Sequence, residues 1–229
     1  MRPTTNGSLT GARRQLEALC GDPPPWPELP AAYSSDTAER PAAVLMLFGV
    51  LDSAPATAPD AALSRELDVL LVRRADTLTD HPGQISFPGG RLDADDDGPV
   101  GAALREAHEE TGLDPAGVEV LGTLPPSPLP VTNYVVTPVL GWWSRPSPVR
   151  AVDPGESAEV FRAPVADLVD PERRRTVRLE WRGDEVTTPG FLVNGHLVWG
   201  FTAHVLDRLL DALDWSVPWD PTRSVRIRR

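Results

Sequence analysis

Lysine is absent from this 229-residue chain, and all 22 of its basic residues are arginine. That absence excludes Schiff-base and pyridoxal chemistry, Walker-type phosphate loops and lysine general bases. Cysteine occurs once, as Cys20, which excludes an internal disulfide and any multi-cysteine zinc site. Positive charge is in deficit: 33 acidic residues leave a formal net charge of −11. Such a balance argues against adhesion to nucleic acid or to an anionic membrane. An anionic substrate must then be held by something other than bulk charge. Long apolar runs are also lacking. The longest, Ala42 to Leu51, has about ten residues against the roughly 20 of a membrane helix. Met1 to Thr10 has no apolar run of the signal-peptide kind; with the single cysteine, this gives a cytoplasmic expectation.

What is present suits one domain of mixed α/β class, since 41% of the residues are hydrophobic and 24% charged. Residues 1–39 read as an appendage: a short helix from Leu9 to Cys20, with Leu16 and Leu19 on one side, then a run of prolines (Pro23, Pro24, Pro25, Pro27, Pro30) that keeps the path extended. Trp26 within that run suits either a peptide-ligand feature or an arm docked on its own domain. The globular body is expected over 40–215, with 216–229 as a tail. Ala42 to Leu51 and Leu67 to Arg73 read as buried strands. A helix is expected from Gly98 to about Thr111, with Pro99 in its first turn and Gly112 just past its end. Val118 to Leu124 and Val131 to Trp143 read as strands, the second interrupted by Pro138 and so expected to be bulged or at an edge. Asn194-Gly195 marks a hairpin between Phe191 and Trp199. A last helix, about Phe201 to Leu213, carries apolar residues at helical spacing.

The chemistry is concentrated in Phe87-Pro-Gly-Gly-Arg-Leu-Asp and Arg105-Glu-Ala-His-Glu-Glu-Thr-Gly-Leu113. On a helix, Glu106, Glu109 and Glu110 fall within a sector of about 100°. Like charges so placed repel by a few tenths of a kcal/mol per pair. The arrangement suits either a solvated acidic face or a face that carries hard divalent cations, for which Mg²⁺ or Mn²⁺ with carboxylate and carbonyl ligands is the expected chemistry. An upstream glycine pair, able to offer a bare carbonyl, favours the metal reading. So does Arg105, which can hold a carboxylate through a two-pronged hydrogen bond.

These residues resemble the Nudix box: Gly, five residues, Glu, seven residues, then Arg-Glu-apolar-any-Glu-Glu-any-Gly-apolar. Arg105, Glu106, Ala107, Glu109, Glu110, Gly112 and Leu113 fit its second half. The first half departs. Counted from Gly90 the acid is Asp96; counted back from Arg105 it is Asp97. The spacing is one residue longer than the standard box, and Asp stands for Glu. That departure is similar to the coenzyme A pyrophosphatase branch, whose Phe-Pro-Gly-Gly is followed by Asp-any-any-Asp, matching Asp93 and Asp96. The upstream signature of that branch is matched by Leu70, Leu71, Arg74, Ala75, Leu78, His81, Gly83 and Gln84, with Val72 for the usual Thr and Thr79 for the usual Arg. Leu124-Pro-Pro, Tyr134-Val-Val-Thr-Pro-Val, Glu156 ahead of Val160-Phe161, and Val198-Trp-Gly-Phe-Thr-Ala203 also look like it.

The resemblance implies a Nudix-type α/β/α sandwich with a mixed β-sheet. It implies Glu106 and Glu110 as principal Mg²⁺ or Mn²⁺ ligands, the Gly89 carbonyl as a further one, and Glu109 sharing a metal or orienting the attacking water. Arg105 would position the carboxylates; Arg74, His81, Gln84 and Tyr134 would bind substrate. The implied reaction is hydrolysis of a small-molecule diphosphate, coenzyme A or its thioesters. The alternatives are another nucleoside diphosphate derivative (ADP-ribose, NADH or a nucleotide sugar) or a catalytically silent nucleotide sensor. A homodimer is a further expectation. Several residues keep a plainer reading beside the functional one. Glu156, in the turn Asp153-Pro-Gly-Glu, is a general base, an extra ligand or a surface carboxylate. His81 contacts phosphate or shapes its loop; Tyr134 lines a pocket or packs in the core. His108 is expected to be solvated, and Arg226, Arg228 and Arg229 either to touch phosphate or a neighbouring chain or to belong to a solvated tail.

Overall fold

The computed structural model describes residues 5–23, 40–50, 67–79, 81–129, 133–181 and 183–227. The proline run from Pro24 onward, Trp26, Arg228 and Arg229 lie outside the described residues, as does the start of the strand expected from Val131. In order, the elements are α1 (Thr5–Gly21), β1 (Arg40–Val50), β2 (Leu67–Arg74), β3 (Ile85–Ser86), β4 (Gly89–Arg91), α2 (Gly98–Thr111), β5 (Val118–Thr123), β6 (Ser127–Leu129), β7 (Tyr134–Trp143), β8 (Ser157–Pro164), α3 (Val165–Val169), β9 (Arg174–Trp181), β10 (Asp184–Val193), β11 (His196–Val198), α4 (Phe201–Ala212) and β12 (Ser224–Arg226).

Strands β1–β8 make one mixed sheet, with β1 and β7 parallel at its centre and the other pairs antiparallel. Side chains alternate across such a sheet. Ala43, Leu45 and Leu47 of β1 face α2, which approaches closely through Ala102, Ala103 and Ala107. Met46 and Phe48 face the other way, into a larger core shared with α1, α3, α4, Phe191, Val193 and Val198. Helices thus cover both faces, and the α/β/α sandwich expected from the sequence is the observed architecture. A second sheet, in the order β11-β10-β9-β12, is added to it. The β10–β11 turn carries Asn194 and Gly195 at φ 50° and 79°, the left-handed pair that an Asn-Gly turn supplies.

Three expectations need correcting. Helix α1 is not an appendage: Ala12 and Leu16 are fully buried, and a Cβ on Gly122 of β5 would lie 2.6 Å from the Cys20 Cβ. Residues 216–227 are not a free tail. Strand β12 pairs in parallel with β9, Arg226 ion-pairs with Glu185, and Trp219 covers the buried Arg174 guanidinium at 4.8 Å, with Phe191 on that guanidinium at 4.4 Å. Pro138 lies in a central strand, neither at an edge nor in a bulge. Its carbonyl accepts from Leu124, so its nitrogen points the same way, into the interval where β6 gives over to β5, and the missing N–H costs only the return bond to Leu124 at that gap.

The sheet is forked. β1 pairs with β2 only over Phe48–Val50 and with β4 over Ala42–Val44, while β2 pairs with β3 at Val72 and Arg73. The segment from β3 to β4 therefore wedges between two diverging strands, with the Leu45 amide donating to the Pro88 carbonyl at 2.8 Å. Beyond the closed end of the fork, the buried Asp68 pairs with Arg162 at 2.5 Å, and that guanidinium lies over Trp143.

Because α1 belongs to the core, Leu16→Ala is expected to lower unfolding stability by about 2–5 kcal/mol, as for other buried leucines. Urea denaturation of the purified variant measures this, and a loss below about 0.5 kcal/mol would return α1 to the periphery.

Candidate active site

The two glycines of β4 are there because nothing larger fits. A Cβ on Gly89, at φ 154°, would stand 2.3 Å from the Ala43 carbonyl oxygen; one on Gly90 would stand 2.5 Å from the Glu106 carboxyl carbon. The wedge and α2 thus meet with a carboxylate laid on bare backbone. The Gly89 amide donates to Glu110 Oε2 at 3.0 Å. Helix α2 reaches this position because Pro99 starts it and Gly112, at φ 71°, stops it, with its amide on the His108 carbonyl. His108 is exposed, but its Nδ1 lies 2.8 Å from the Leu113 carbonyl oxygen, so it serves the helix end and is not merely solvated.

Arg105 organises the acids. Its Nε and Nη2 grip the two oxygens of Asp96 at 2.9 Å each; its Nη1 donates to Glu106 Oε1 and Glu109 Oε2 at 3.1 Å, and its Nη2 also donates to the Arg91 carbonyl at 3.0 Å. The spacing question is settled here: Asp96 takes the acid position, and Asp97 only precedes α2, without a side-chain cap bond. The extra residue is absorbed in a turn in which the Asp93 amide donates to Asp96 Oδ2 at 2.8 Å and the Asp96 amide donates to the Asp93 carbonyl at 3.2 Å. Hydrogen bonds from Arg105 and then from the Asp93 amide hold the Asp96 carboxyl below the usual carboxylate range.

Other expected residues come to this corner from β2 and β8. Strand alternation puts Arg74 on the α2 side with Leu70, and its charge reaches Glu110. The Arg74 amide donates to the Gln84 carbonyl at 2.9 Å, and the Gln84 amide to the His81 carbonyl at 3.3 Å. His81 turns that loop at φ 56°. Glu156 is exposed, in a turn closed by the Asp153 carboxylate on the Gly155 amide at 2.7 Å; its carbonyl accepts from the Ala75 amide at 2.9 Å, and its charge also reaches Glu110. Tyr134 is not brought to the box helix. It alternates with Val136 and Leu140, which face away from α2. Sequence reasoning missed Ser157. The ladder skips Ala158 between Glu159 and Ser157, a bulge that sets Ser157 opposite Arg74; its Oγ is buried without a hydrogen-bond partner among the described residues. No spacing rule in one sequence announces a bulge.

Glu110 is the buried member of the cluster, 9% exposed. Burial is the main cause that pushes its carboxyl up from 4.5 to about 7, with Glu106 and Glu156 adding to the rise and the Gly89 amide and Arg74 opposing it. Burial also raises Glu106, against Arg105. Among the described residues, no three Asp, Glu, His or Cys side chains converge as a ready-made metal cage. The donor set still suits a magnesium-like ion, which binds through one or two carboxylates and takes its other oxygens from water and phosphate. Arg105 holds one oxygen of Glu106 and Gly89 one of Glu110, leaving the other oxygen of each.

The carboxylates of α2 thus face the glycine strand β4 across a shared corner. Residues 55–181 match the family model for the NUDIX domain. Among curated proteins, the chain is 40% identical over 141 residues to an uncharacterized Nudix hydrolase, NudL, of Escherichia coli strain K12, covering 62% of this chain and 72% of the relative. Its counterpart in Enterobacter sp. strain 638 is 37% identical over the same shares. Among solved structures, a MutT/nudix family protein from Enterococcus faecalis is similar at 15% identity and a TM-score of 0.48, over 93% of this chain and 75% of that one. The chain belongs to the Nudix family and is a Nudix hydrolase of a nucleoside diphosphate derivative.

The raised Glu110 carboxyl has a signed consequence for the metal-free protein. The folded state keeps this proton to higher pH than the unfolded state does, so the stability linked to Glu110 is full below pH 4.5 and is lost as pH rises to about 7. In chelator, Glu110→Gln should match the parent near pH 4 and exceed it by about 1–3 kcal/mol at pH 8. Denaturant melts at the two pH values check this; equal stabilities at pH 8 would contradict the burial argument.

Proposed function

We propose that the substrate is coenzyme A or one of its thioesters, cleaved to adenosine 3′,5′-bisphosphate and 4′-phosphopantetheine or its acyl derivative. The observation that carries this reading is the wedge itself: Phe87-Pro-Gly-Gly followed by Asp93 and Asp96 locked in one turn around Arg105. That is the box variant of the branch the sequence resembles, and here its extra residue has a structural use. In this reading Glu106 and Glu110 hold Mg²⁺ or Mn²⁺, with Glu109 and the Gly89 carbonyl as further ligands. The ion, when bound, offsets the diphosphate charge and acidifies water. Arg105, fixed by Asp96, keeps Glu106 and Glu109 in register. Glu156, whose carbonyl is bonded to the amide of Ala75 just past β2 and whose charge is within electrical reach of Glu110, takes the proton of the attacking water as general base. Water adds to one phosphorus, and the bridging oxygen leaves with the other. Arg74 counters charge at the buried end of the site; His81 and Gln84 shape the loop that meets the substrate. Work in the cytoplasm follows from the same reading.

One observation favours a second substrate class. Thr79 stands, exposed, where the branch has Arg, so a guanidinium for the additional phosphate of coenzyme A is missing from that loop. ADP-ribose or NADH would not need it. A silent sensor is disfavoured, because Glu106, Glu109 and Glu110 are all retained.

Product analysis across coenzyme A, dephospho-coenzyme A, NADH and ADP-ribose tests the reading. We expect coenzyme A to be hydrolysed with a divalent ion and not in chelator; a tenfold preference in kcat/KM for ADP-ribose or NADH would overturn the substrate while leaving the family intact. On the preferred substrate, Glu110→Gln should lower kcat by about 10²-fold or more. Glu156→Gln should lower it by roughly 10²–10⁴-fold with metal affinity retained; parallel loss of metal affinity would make Glu156 a ligand, and no effect a turn residue.

A further inference from the structure

Strand register gathers two arginines that the chemistry above does not use. Arg91 ends β4 opposite Ala42, and Arg40 begins β1 opposite Tyr134. Residues paired across a ladder share a face, and neighbours two apart on a strand share it too. Gly90 faces Glu106 on the α2 side, so Arg91 points to the opposite face, as do Ala42, Arg40 and Tyr134. Arg40 and Arg91 are diagonal neighbours, a relation of about 7–8 Å that long side chains span. Ala42 between them adds a single methyl group. Both arginines are exposed, and neither guanidinium has a partner among the described residues. Elsewhere several strand arginines have acid partners: Arg73 has Asp76, Arg162 has Asp68, Arg174 has Asp207, and Arg178 and Arg226 share Glu185, while Arg175 donates to backbone carbonyls. Two unpaired guanidiniums side by side repel, and an oxyanion with several acceptors relieves that repulsion with forked hydrogen bonds.

We propose that Arg40 and Arg91 form a phosphate-monoester subsite, with the Tyr134 hydroxyl beside it, that takes the second phosphate carried on the nucleoside part of the substrate. The subsite rests on the diphosphate-hydrolase reading for its place in the reaction. Arg91 directly follows Gly90, against which the Glu106 carboxylate lies. The two centres therefore occupy opposite sides of one short strand, and a ligand that wraps the open end of the fork reaches both. The subsite supplies the positive charge that Thr79 does not, from a different element. It selects nucleotides that carry a phosphate monoester besides the diphosphate.

Calorimetric titration of the full-length protein with adenosine 3′,5′-bisphosphate and with 5′-AMP tests this. The wild type should bind the bisphosphate at least tenfold more tightly. Arg91→Gln and Arg40→Gln should each shrink that ratio by about 10-fold or more, the worth of a charged hydrogen bond, whereas Arg208→Gln on α4 should not. In kinetics, the fall in kcat/KM should be at least tenfold greater for coenzyme A than for dephospho-coenzyme A, and should appear in KM. Equal losses on both ligands, or a wild type indifferent to the 3′-phosphate, would overturn the subsite. Failure of the wild type to hydrolyse any diphosphate would sink the hydrolase reading alone, since the binding ratio decides the subsite separately.

Discussion

Two strands that part company must leave backbone groups unpaired, and buried backbone groups need partners. Here the segment from Ile85 to Arg91 fills the gap between β1 and β2, bonding to each in turn. The filling works only because its second half is Gly-Gly, which lets β1 approach from one side and a glutamate from the other. Everything at the candidate site is referred to that wedge. Glu110 is oriented by its amide, Glu106 rests on its surface, and Arg105 reaches its last carbonyl. The same crowding withdraws Glu110 from water and raises its proton affinity. A site that destabilises its own anion in the absence of a cation is thus built from a steric requirement of the sheet.

Arginine carries all the positive charge in this protein, and it is used for geometry as much as for charge. Arg105 makes five hydrogen bonds from one planar group, which an ammonium with three donors could not reproduce. Arg174 lies between two aromatic rings. Arg162 joins an acid to a tryptophan at the closed end of the fork. In each place the guanidinium is a flat connector between elements that are distant in sequence.

The box helix, the hairpin and the last helix were legible from capping residues, the Asn-Gly turn and apolar spacing, because those signals are local. The carboxylate set of the box helix was legible as a pattern, although the competing counts for Asp96 and Asp97 could be resolved only by the turn at Asp93. The second sheet was mostly invisible. Its strand β9 does alternate, with Val177, Leu179 and Trp181 between Arg178 and Glu180, but it opens on two arginines, and β10 contains Pro189 and begins with two acids, so the pair offers no strong apolar run. The burial of α1 and the pairing of β12 depend on partners far along the chain, which a local reading does not see. For Tyr134 a local reading left the face open, because which face it takes follows from strand parity counted from Val136.

The bond from the Trp215 indole to the Gln15 side chain spans 200 residues. It joins α1 to the segment after α4, while α1 also packs under β5 and β7. During synthesis the first helix is made long before any of these partners exist, and it cannot bury Leu16 until the central strands have been completed. Closure of the larger core is therefore an end-of-translation event dominated by non-local contacts, the kind that makes folding slow and leaves apolar surface open in the interval.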